Sequence, residues 1–169
     1  MARDGGALLS FDPNLRLPLW NTPNDAREQI LWGLQRCDIL KISDDELLFM
    51  TGESDFDRGA HLLHRRFPNI RLLNVTAGAQ GSYSYYDGLF VFEPACSLGG
   101  VIETTGAGDT FCASVLSFVL EHGLDGLSGD DLHAMLRFAN TAAYLVTTGR
   151  GAIPAMPDRQ QVEALLAAN

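Results

Sequence analysis

A glycine-rich turn in front of an apolar segment carries the residues whose types and spacing could do chemistry. Gly106, Ala107 and Gly108 precede Asp109. Glycines let the main chain approach a ligand closely, and successive N–H groups at the start of a helix attract an anion. A carboxylate beside such groups could accept a proton from an attacking hydroxyl. Together these features suit phosphoryl transfer, in which positioning and charge stabilisation dominate catalysis.

Two better-known glycine motifs do not explain this turn. A Walker phosphate loop requires a Gly-Lys pair, which the sequence lacks, and the dinucleotide fingerprint requires glycine where Phe111 stands. A purely structural alternative remains, in which Gly106 and Gly108 make a tight turn and Asp109 caps the helix. The turn by itself leaves both interpretations open.

The elements that must position this turn alternate between strands and helices. Continuous apolar runs predict strands buried on both faces, and helical spacing of apolar residues predicts the helices between them. This alternation predicts an α/β fold of three layers with a mainly parallel sheet. The predicted strands cover residues 7–11, 37–42 and 70–76, with an extended segment at 101–104; the predicted helices cover 24–36, 44–51, 57–67, 131–148 and 158–168, and one from the turn to about residue 122.

An antiparallel hairpin is predicted after the parallel strands. Asp87-Gly88 is a strong two-residue turn signal between residues 81–86 and 89–92. The aromatic residues of this region favour packing within the hairpin over base stacking. They are Tyr83, Tyr85, Tyr86, Phe90 and Phe92.

Composition narrows the class of protein. The 169 residues suffice for one α/β domain, and we predict a single domain over 1–169. A formal net charge of −9 opposes nucleic-acid binding. Cys37, Cys96 and Cys112 are odd in number and widely spaced, which favours buried thiols in a reducing compartment. No apolar stretch has membrane-spanning length and no secretory signal is evident, so we expect a cytoplasmic protein without a membrane partner.

Five segments, in order along the chain, resemble the ribokinase/PfkB family of carbohydrate kinases. The resemblance covers essentially the entire chain, and five ordered matches are far more specific than any single one. The segments are Thr104–Asp109 with Thr110-Phe111-Cys112-Ala113, Ser10–Arg16 with Leu19-Trp20, Lys41–Glu46 with Thr51-Gly52, Val75–Gly78 with Gly81, and Phe138–Ala143 with Gly151–Pro157.

The resemblance implies a catalytic role for the glycine-rich turn. Asp109 would deprotonate the sugar hydroxyl that attacks the γ-phosphate of ATP. Gly106, Ala107 and Gly108 would form the anion hole for the transferring phosphoryl group. Arg16 would brace a phosphate or a polar substrate.

The same resemblance implies the remaining contacts. Asn14 and Arg16 would face the sugar, together with Asp109. Thr76, Gly78 and Gly81 would line the nucleotide and Asn140 its base, with Gly108 also beside the phosphates. Glu46 would hold Mg²⁺ through water, and a monovalent cation such as K⁺ is possible in this family.

Most of these residues also have a structural interpretation. Glu46 could be an ordinary acid in a first helical turn, and Thr76-x-Gly78 a plain turn at a strand end. Asn140 could face solvent, and Arg16 could pair with Asp12. The alternatives stay open on the sequence alone.

Three positions depart from the family pattern. Glu103 stands where the family usually has Asp, near the phosphate and cation environment, and its extra methylene could reposition that contact. Ser43 replaces the Asn of the family's N-x-x-E segment, so the metal network could differ. Ser114 stands where a smaller residue is usual.

The resemblance also implies what this chain does not hold. Family members are longer, with an N-terminal half that binds sugar and a β-sheet lid that often mediates dimers, so we expect this chain to be the C-terminal half, the N-terminal half and lid being absent. A fructokinase is the first expectation. A 2-keto-3-deoxygluconate kinase and a truncated, non-catalytic nucleotide-binding relative are the alternatives. Since the lid excludes water, the isolated chain should bind nucleotide weakly and transfer little phosphate.

Overall fold

The structure, a computed structural model, describes residues 5–168. Its described residues divide into two compact units: residues 5–76 and 85–89 form the first, and residues 77–84 and 90–168 form the second. The prediction of a single domain over 1–169 stays a prediction.

The first unit is built on three parallel strands, β1 (Ser10–Phe11), β2 (Ile39–Ser43) and β3 (Leu72–Thr76). β2 lies between the other two, with Phe11 level with Leu40 and Ser43 level with Thr76. β2 and β3 are buried almost throughout, as the continuous apolar runs predict. Parallel strands place their carboxyl ends at one edge, and that edge is where functional side chains of α/β folds collect.

Three helices accompany these strands: α1 (Pro23–Leu34), α2 (Asp44–Thr51) and α3 (Phe56–Arg66). Each begins at a side chain that accepts a hydrogen bond from the first turn, namely Thr22, Ser43 and Asp55. Such caps satisfy donors that the helix itself cannot pair. The core of this unit contains Ile30, Leu34, Leu40, Ile42, Leu47, Leu63, Leu72, Leu73 and Val75.

The predicted hairpin is confirmed as β4 (Gly81–Tyr86) and β5 (Leu89–Pro94), which are hydrogen-bonded neighbours joined by a two-residue turn. Asp87 adopts a φ of 47° there, as such a turn requires. The tip of the hairpin, residues 85–89, belongs to the first unit and the rest to the second. Tyr83 stacks on Phe90 with ring centroids 5.5 Å apart, so these aromatic residues pack within the hairpin.

The second unit is mainly helical beyond the hairpin. Its helices are α4 (Ala107–His122), α5 (Gly129–Thr147), α6 (Ala152–Ala155) and α7 (Arg159–Ala167). α5 packs against the other three, and the apolar stripe predicted for it forms the core with Phe111, Val115 and Val162. An α/β fold with mainly parallel strands and an antiparallel hairpin is therefore confirmed.

Two strand expectations were wrong in detail. The predicted strand over 7–11 is reduced to β1, and Leu8 is 45% exposed, so this run is not buried on both faces. Residues 101–104 form no strand; Ile102 and Glu103 instead donate their amides to the Thr147 carbonyl. The apolar residues at these two places lie at the boundary of the core and not inside it. An apolar run inside the core and an apolar run at its boundary can have the same sequence pattern. Only the position in the fold distinguishes them.

The thiols also differ from expectation. Cys37 is buried, whereas Cys96 and Cys112 are partly exposed. Burial raises the pKa of the Cys96 thiol, and a hydrogen bond with the Thr141 side chain partly offsets that rise.

Within residues 5–168, no helix combines the length and the apolarity needed to span a bilayer.

A glycine on α1 provides a test of the packing in the first unit. A Cβ added at Gly33 would lie 2.5 Å from the ring of Phe11. Gly33→Ala is therefore expected to lower the free energy of unfolding by about 1–3 kcal/mol. Urea denaturation followed by circular dichroism measures this change.

The matched control is Gly129→Ala at the start of α5, where an added Cβ meets nothing within 4 Å. That variant should leave the free energy of unfolding unchanged or raise it by up to about 1 kcal/mol, because alanine favours a helix. Equal effects of the two substitutions would show that Phe11 does not pack on α1 as described.

Candidate active site

The glycine-rich turn of the second unit opens a helix without a side-chain cap. Gly106 is the residue before α4 and has a φ of 84°, a left-handed conformation that favours glycine. No side chain of the described residues caps this end, although Thr110 N–H bonds to the Gly106 carbonyl at 2.8 Å. Because the first-turn amides of a helix lack partners within it, this end can bind an anion.

Asp109 lies in the first turn of α4 and is exposed to solvent. Among the described residues no side chain, that of Asp109 included, makes a capping hydrogen bond at this helix end, which does not support the alternative in which Asp109 caps the helix. An exposed acid next to main-chain N–H groups suits a proton acceptor beside a bound anion. Ala107 and Gly108 are half-buried and complete the turn.

The segment in front of the turn is held by the loop after α5. Glu103 Oε1 accepts a hydrogen bond from Gly151 N–H at 2.5 Å, and Ile102 N–H donates to the Thr147 carbonyl at 2.8 Å. A Cβ at Gly106 would lie 2.8 Å from Cβ of Ala152. The carboxylate at position 103 therefore fastens two loops together, a contact that sequence reasoning missed. Ser114 lies about two turns into α4 and donates its hydroxyl to the Thr110 carbonyl.

Asn140 is buried in α5 and its amide is fully engaged. Its Nδ2 donates to the carbonyls of Glu93 and Pro94, each at 3.1 Å, and its Oδ1 accepts from the Ser82 hydroxyl at 2.8 Å. The alternative of a solvent-facing Asn140 is therefore wrong. Asn140 also lines a cavity of about 300 Å³ with Cys96 and Thr141.

Two glycines predicted to line the nucleotide sit at the start of the hairpin. Gly78 has a φ of 51° with nothing within 4 Å of an added Cβ, so its main chain is open to a ligand. Gly81 has a φ of 128°, and a Cβ there would lie 2.2 Å from the Glu93 carbonyl oxygen. Gly81 is therefore required by the hairpin itself.

In the first unit, the predicted polar residues follow the carboxyl ends of the parallel strands. Asn14 follows β1, Ser43 ends β2 and Thr76 ends β3. Ser43 and Thr76 are level in the strand register, so they sit side by side at that edge. Ser43 also caps α2, since its hydroxyl accepts from Glu46 N–H at 3.3 Å.

Glu46 lies in the first turn of α2 and is only 5% exposed. Its Oε2 accepts from Ser43 N–H at 2.8 Å and its Oε1 from Leu15 N–H at 2.6 Å. Both oxygens already serve main-chain donors, and no group of three or more metal-binding side chains occurs in the described part of the chain. The expectation that Glu46 holds Mg²⁺ through water stays a prediction.

The residues after β1 form a tight loop, in which Asn14 has a φ of 44° and donates its N–H to Asp12 Oδ1. Asp12 pairs with Lys41 at 3.2 Å. Burial raises the pKa of the Asp12 carboxyl, and Lys41 partly offsets that rise. Arg16 is exposed and donates to the Leu15 carbonyl, so the alternative pairing of Arg16 with Asp12 is wrong.

Comparison with known proteins identifies the chain. Residues 1–159 match the family model described as pfkB family carbohydrate kinase. The chain belongs to this family. Among curated relatives of this pfkB member, "Probable fructokinase-4" of Arabidopsis thaliana is 38% identical over 100% of this chain and 51% of its own length. The chain therefore spans about half the length of the curated relatives it matches.

Solved structures show the ribokinase-like fold. A fructokinase of Vibrio cholerae O395, in fructose, ADP and potassium ion bound form, is 28% identical with a TM-score of 0.84, over 98% of this chain and 52% of the other. An aminoimidazole riboside kinase of Salmonella enterica, complexed with aminoimidazole riboside and an ATP analogue, is 26% identical with a TM-score of 0.83, over 98% and 54%. The expected ribokinase-like fold of this pfkB chain is thereby confirmed.

A substitution at Gly106 tests the turn before α4. Gly106→Ala would force a left-handed conformation on alanine and press its Cβ against Ala152. We expect it to lower the free energy of unfolding by about 2–4 kcal/mol, the sum of backbone strain and overpacking. Thermal and urea unfolding measure the effect.

Gly100→Ala is the control, because Gly100 has a similar φ of 75° but nothing within 4 Å of an added Cβ. It should lose only about 1–2 kcal/mol, the cost of the backbone conformation. If the two variants unfold alike, the contact between Gly106 and Ala152 is not significant.

Proposed function

We propose that this chain supplies the catalytic base, the anion hole and the nucleotide site of an ATP-dependent kinase that phosphorylates a sugar hydroxyl, with fructose as the acceptor. The observation that carries the proposal is the uncapped start of α4 with Asp109 in its first turn. Relatives named fructokinases, and a solved fructokinase bound to fructose and ADP, support this acceptor and nucleotide.

In the proposed reaction, Asp109 takes the proton of the acceptor hydroxyl as the hydroxyl oxygen bonds to the γ-phosphorus of ATP. The bond from this phosphorus to the bridging oxygen breaks, and ADP leaves. Main-chain N–H groups of Gly106, Ala107 and Gly108 stabilise the negative charge on the transferring phosphoryl group. Gly106 already has its left-handed conformation, whereas Ala107 N–H donates to the Thr104 carbonyl at 3.2 Å and would exchange that bond for one to the phosphoryl group. Mg²⁺, held through water by Glu46, would neutralise phosphate charge.

The remaining site residues would bind the two substrates. Thr76, Gly78 and Gly81 would line the nucleotide, and the cavity beside Asn140 would receive its base. Since the amide of Asn140 is engaged by the hairpin, Asn140 would shape this cavity without donating to the base. Asn14 and Arg16 would contact the sugar or a phosphate. A monovalent cation such as K⁺ belongs to the proposal because the Vibrio cholerae fructokinase carries potassium.

A cytoplasmic location and a homodimer of the complete enzyme stay predictions. So does the expectation that the chain corresponds to the C-terminal half of a longer kinase.

A chimera tests the proposed base. The part of the Arabidopsis relative that precedes its match to this chain can be fused in front of residue 5, and fructose-dependent ADP formation followed by a coupled assay. Asp109→Asn is expected to lower kcat about 10²–10⁴-fold, because an amide cannot accept the proton, while the Kd for ATP changes little.

Asp130→Asn is the matched control, because Asp130 is an exposed acid in the first turn of another helix. Its kcat should equal that of the unsubstituted chimera. ATP binding without turnover in an intact chimera would favour the non-catalytic relative. Faster turnover of 2-keto-3-deoxygluconate or aminoimidazole riboside than of fructose would contradict fructose as the acceptor. It would not contradict Asp109 as the base.

The 169-residue chain by itself makes a second test. Calorimetry with Mg²⁺ and ATP should show weak binding, with a Kd of about 1 mM or above, and ADP formation should not depend on fructose. Fructose-dependent turnover by this chain alone at the rate of the chimera would contradict the expectation that a further half completes the site.

A further inference from the structure

Lys41 is the only lysine in the sequence, beside 11 arginines, and it is buried. It is 7% exposed in the middle of β2, between apolar neighbours. Its Nζ lies 3.2 Å from Asp12 Oδ2 and 3.4 Å from Asp12 Oδ1. A buried ammonium group without a nearby carboxylate is strongly disfavoured, so the burial of Lys41 depends on its pairing with Asp12. The proposed reaction does not use it.

Lys41 belongs to a polar row that crosses the parallel strands. Asn74 is level with Lys41 on β3, and Asp12 follows Phe11, which is level with Leu40. Asn74 is 0% exposed, and its amide nitrogen and oxygen have no hydrogen-bond partner within residues 5–168. Side chains two residues apart on a strand share a face. Ser43 and Thr76 therefore lie on the same face as this row, one step closer to the carboxyl edge.

The loop of residues 12–16 is held at two points, one of them by the Asp12 carboxylate of this pair. Asp12 Oδ1 accepts from Asn14 N–H at 3.1 Å, and Glu46 Oε1 accepts from Leu15 N–H at 2.6 Å. Next to these contacts Asn14 has a φ of 44°, a left-handed conformation that asparagine adopts more readily than most other non-glycine residues. Two carboxylates, one paired with Lys41 and one fixed at the start of α2, thus hold this loop.

We propose that Lys41 is a positioning residue: its ion pair with Asp12, acting together with the carboxylate of Glu46, holds the loop of residues 12–16 so that Asn14 and Arg16 face the reacting groups. The claim that Asn14 and Arg16 face the reacting groups rests on the proposed function. The claim that the ion pair holds the loop does not. Without Lys41 the Asp12 carboxylate would be partly buried and unpaired, and the loop would open to hydrate it.

Limited trypsin digestion of the 169-residue chain tests the proposal, because Arg16 is itself a cleavage site within the loop. Exposed Arg150, in the second unit, is the internal reference. Initial cleavage after each arginine is followed by mass spectrometry under native conditions. Lys41→Met should speed cleavage after Arg16 about tenfold or more, and cleavage after Arg150 less than about twofold, because only the loop opens.

The double variant Asp12→Asn/Lys41→Met keeps the measurement decisive if Lys41→Met alone unfolds the chain. It leaves no unpaired charge, and an asparagine at position 12 can still accept the Asn14 amide. We expect its cleavage after Arg16 to be faster than that of the unsubstituted chain and slower than that of Lys41→Met. A double variant that is cleaved after Arg16 at the unsubstituted rate would overturn the proposal.

The amide proton of Leu15 gives a second readout that a general loss of stability does not reproduce. In the folded double variant its NMR resonance should move upfield as its bond to Glu46 lengthens, while the Gly151 amide, bonded to Glu103, keeps its position. If the Leu15 amide resonance and the cleavage rate after Arg16 are both unchanged and the chimera is active, the loop proposal alone is contradicted. If cleavage after Arg16 is faster and the Leu15 amide resonance moves upfield as expected, but the chimera is inactive, the proposed function is contradicted instead.

Discussion

The first turn of α4 imposes the central constraint on this protein. A helix must leave its first N–H groups without partners inside the helix, and here Gly106 supplies no side chain to satisfy them. Gly106 also has a left-handed conformation, with a φ of 84°, at the point where the chain enters the helix. The packing of Ala152 against Gly106, and the bond from Gly151 to Glu103, hold the turn from behind. The proposed anion binding thus follows from how the helix begins.

A second constraint acts in the first unit. Parallel strands in register bring residues from distant parts of the sequence to one edge, and there Ser43 and Thr76 become neighbours. One row deeper, the same register brings Lys41 level with Asn74, with Asp12 beside them. Rows of polar side chains therefore lie on an otherwise apolar sheet. The loop after β1 depends on these polar rows for its conformation.

Local patterns allowed much of this to be predicted. The helices, the hairpin and the turn at Gly106–Asp109 depend on periodicity, caps and glycine, which act over a few residues. The contacts that sequence reasoning missed join residues far apart in the chain: Lys41 with Asp12, Glu103 with Gly151, and Asn140 with Glu93. A lone lysine inside an apolar strand was a visible signal, since a buried ammonium requires a partner. Which carboxylate it would meet depended on strand register, which no local pattern contains.

The most direct measurement of the central claim is an NMR titration of the 169-residue chain with Mg²⁺ and ATP, following assigned backbone amides. If the start of α4 binds the phosphates, the amide resonances of Gly106, Ala107, Gly108 and Asp109 should shift with one common dissociation constant. If they stay in place while amides elsewhere in the chain respond to the nucleotide, the turn is not the phosphate site and the account fails.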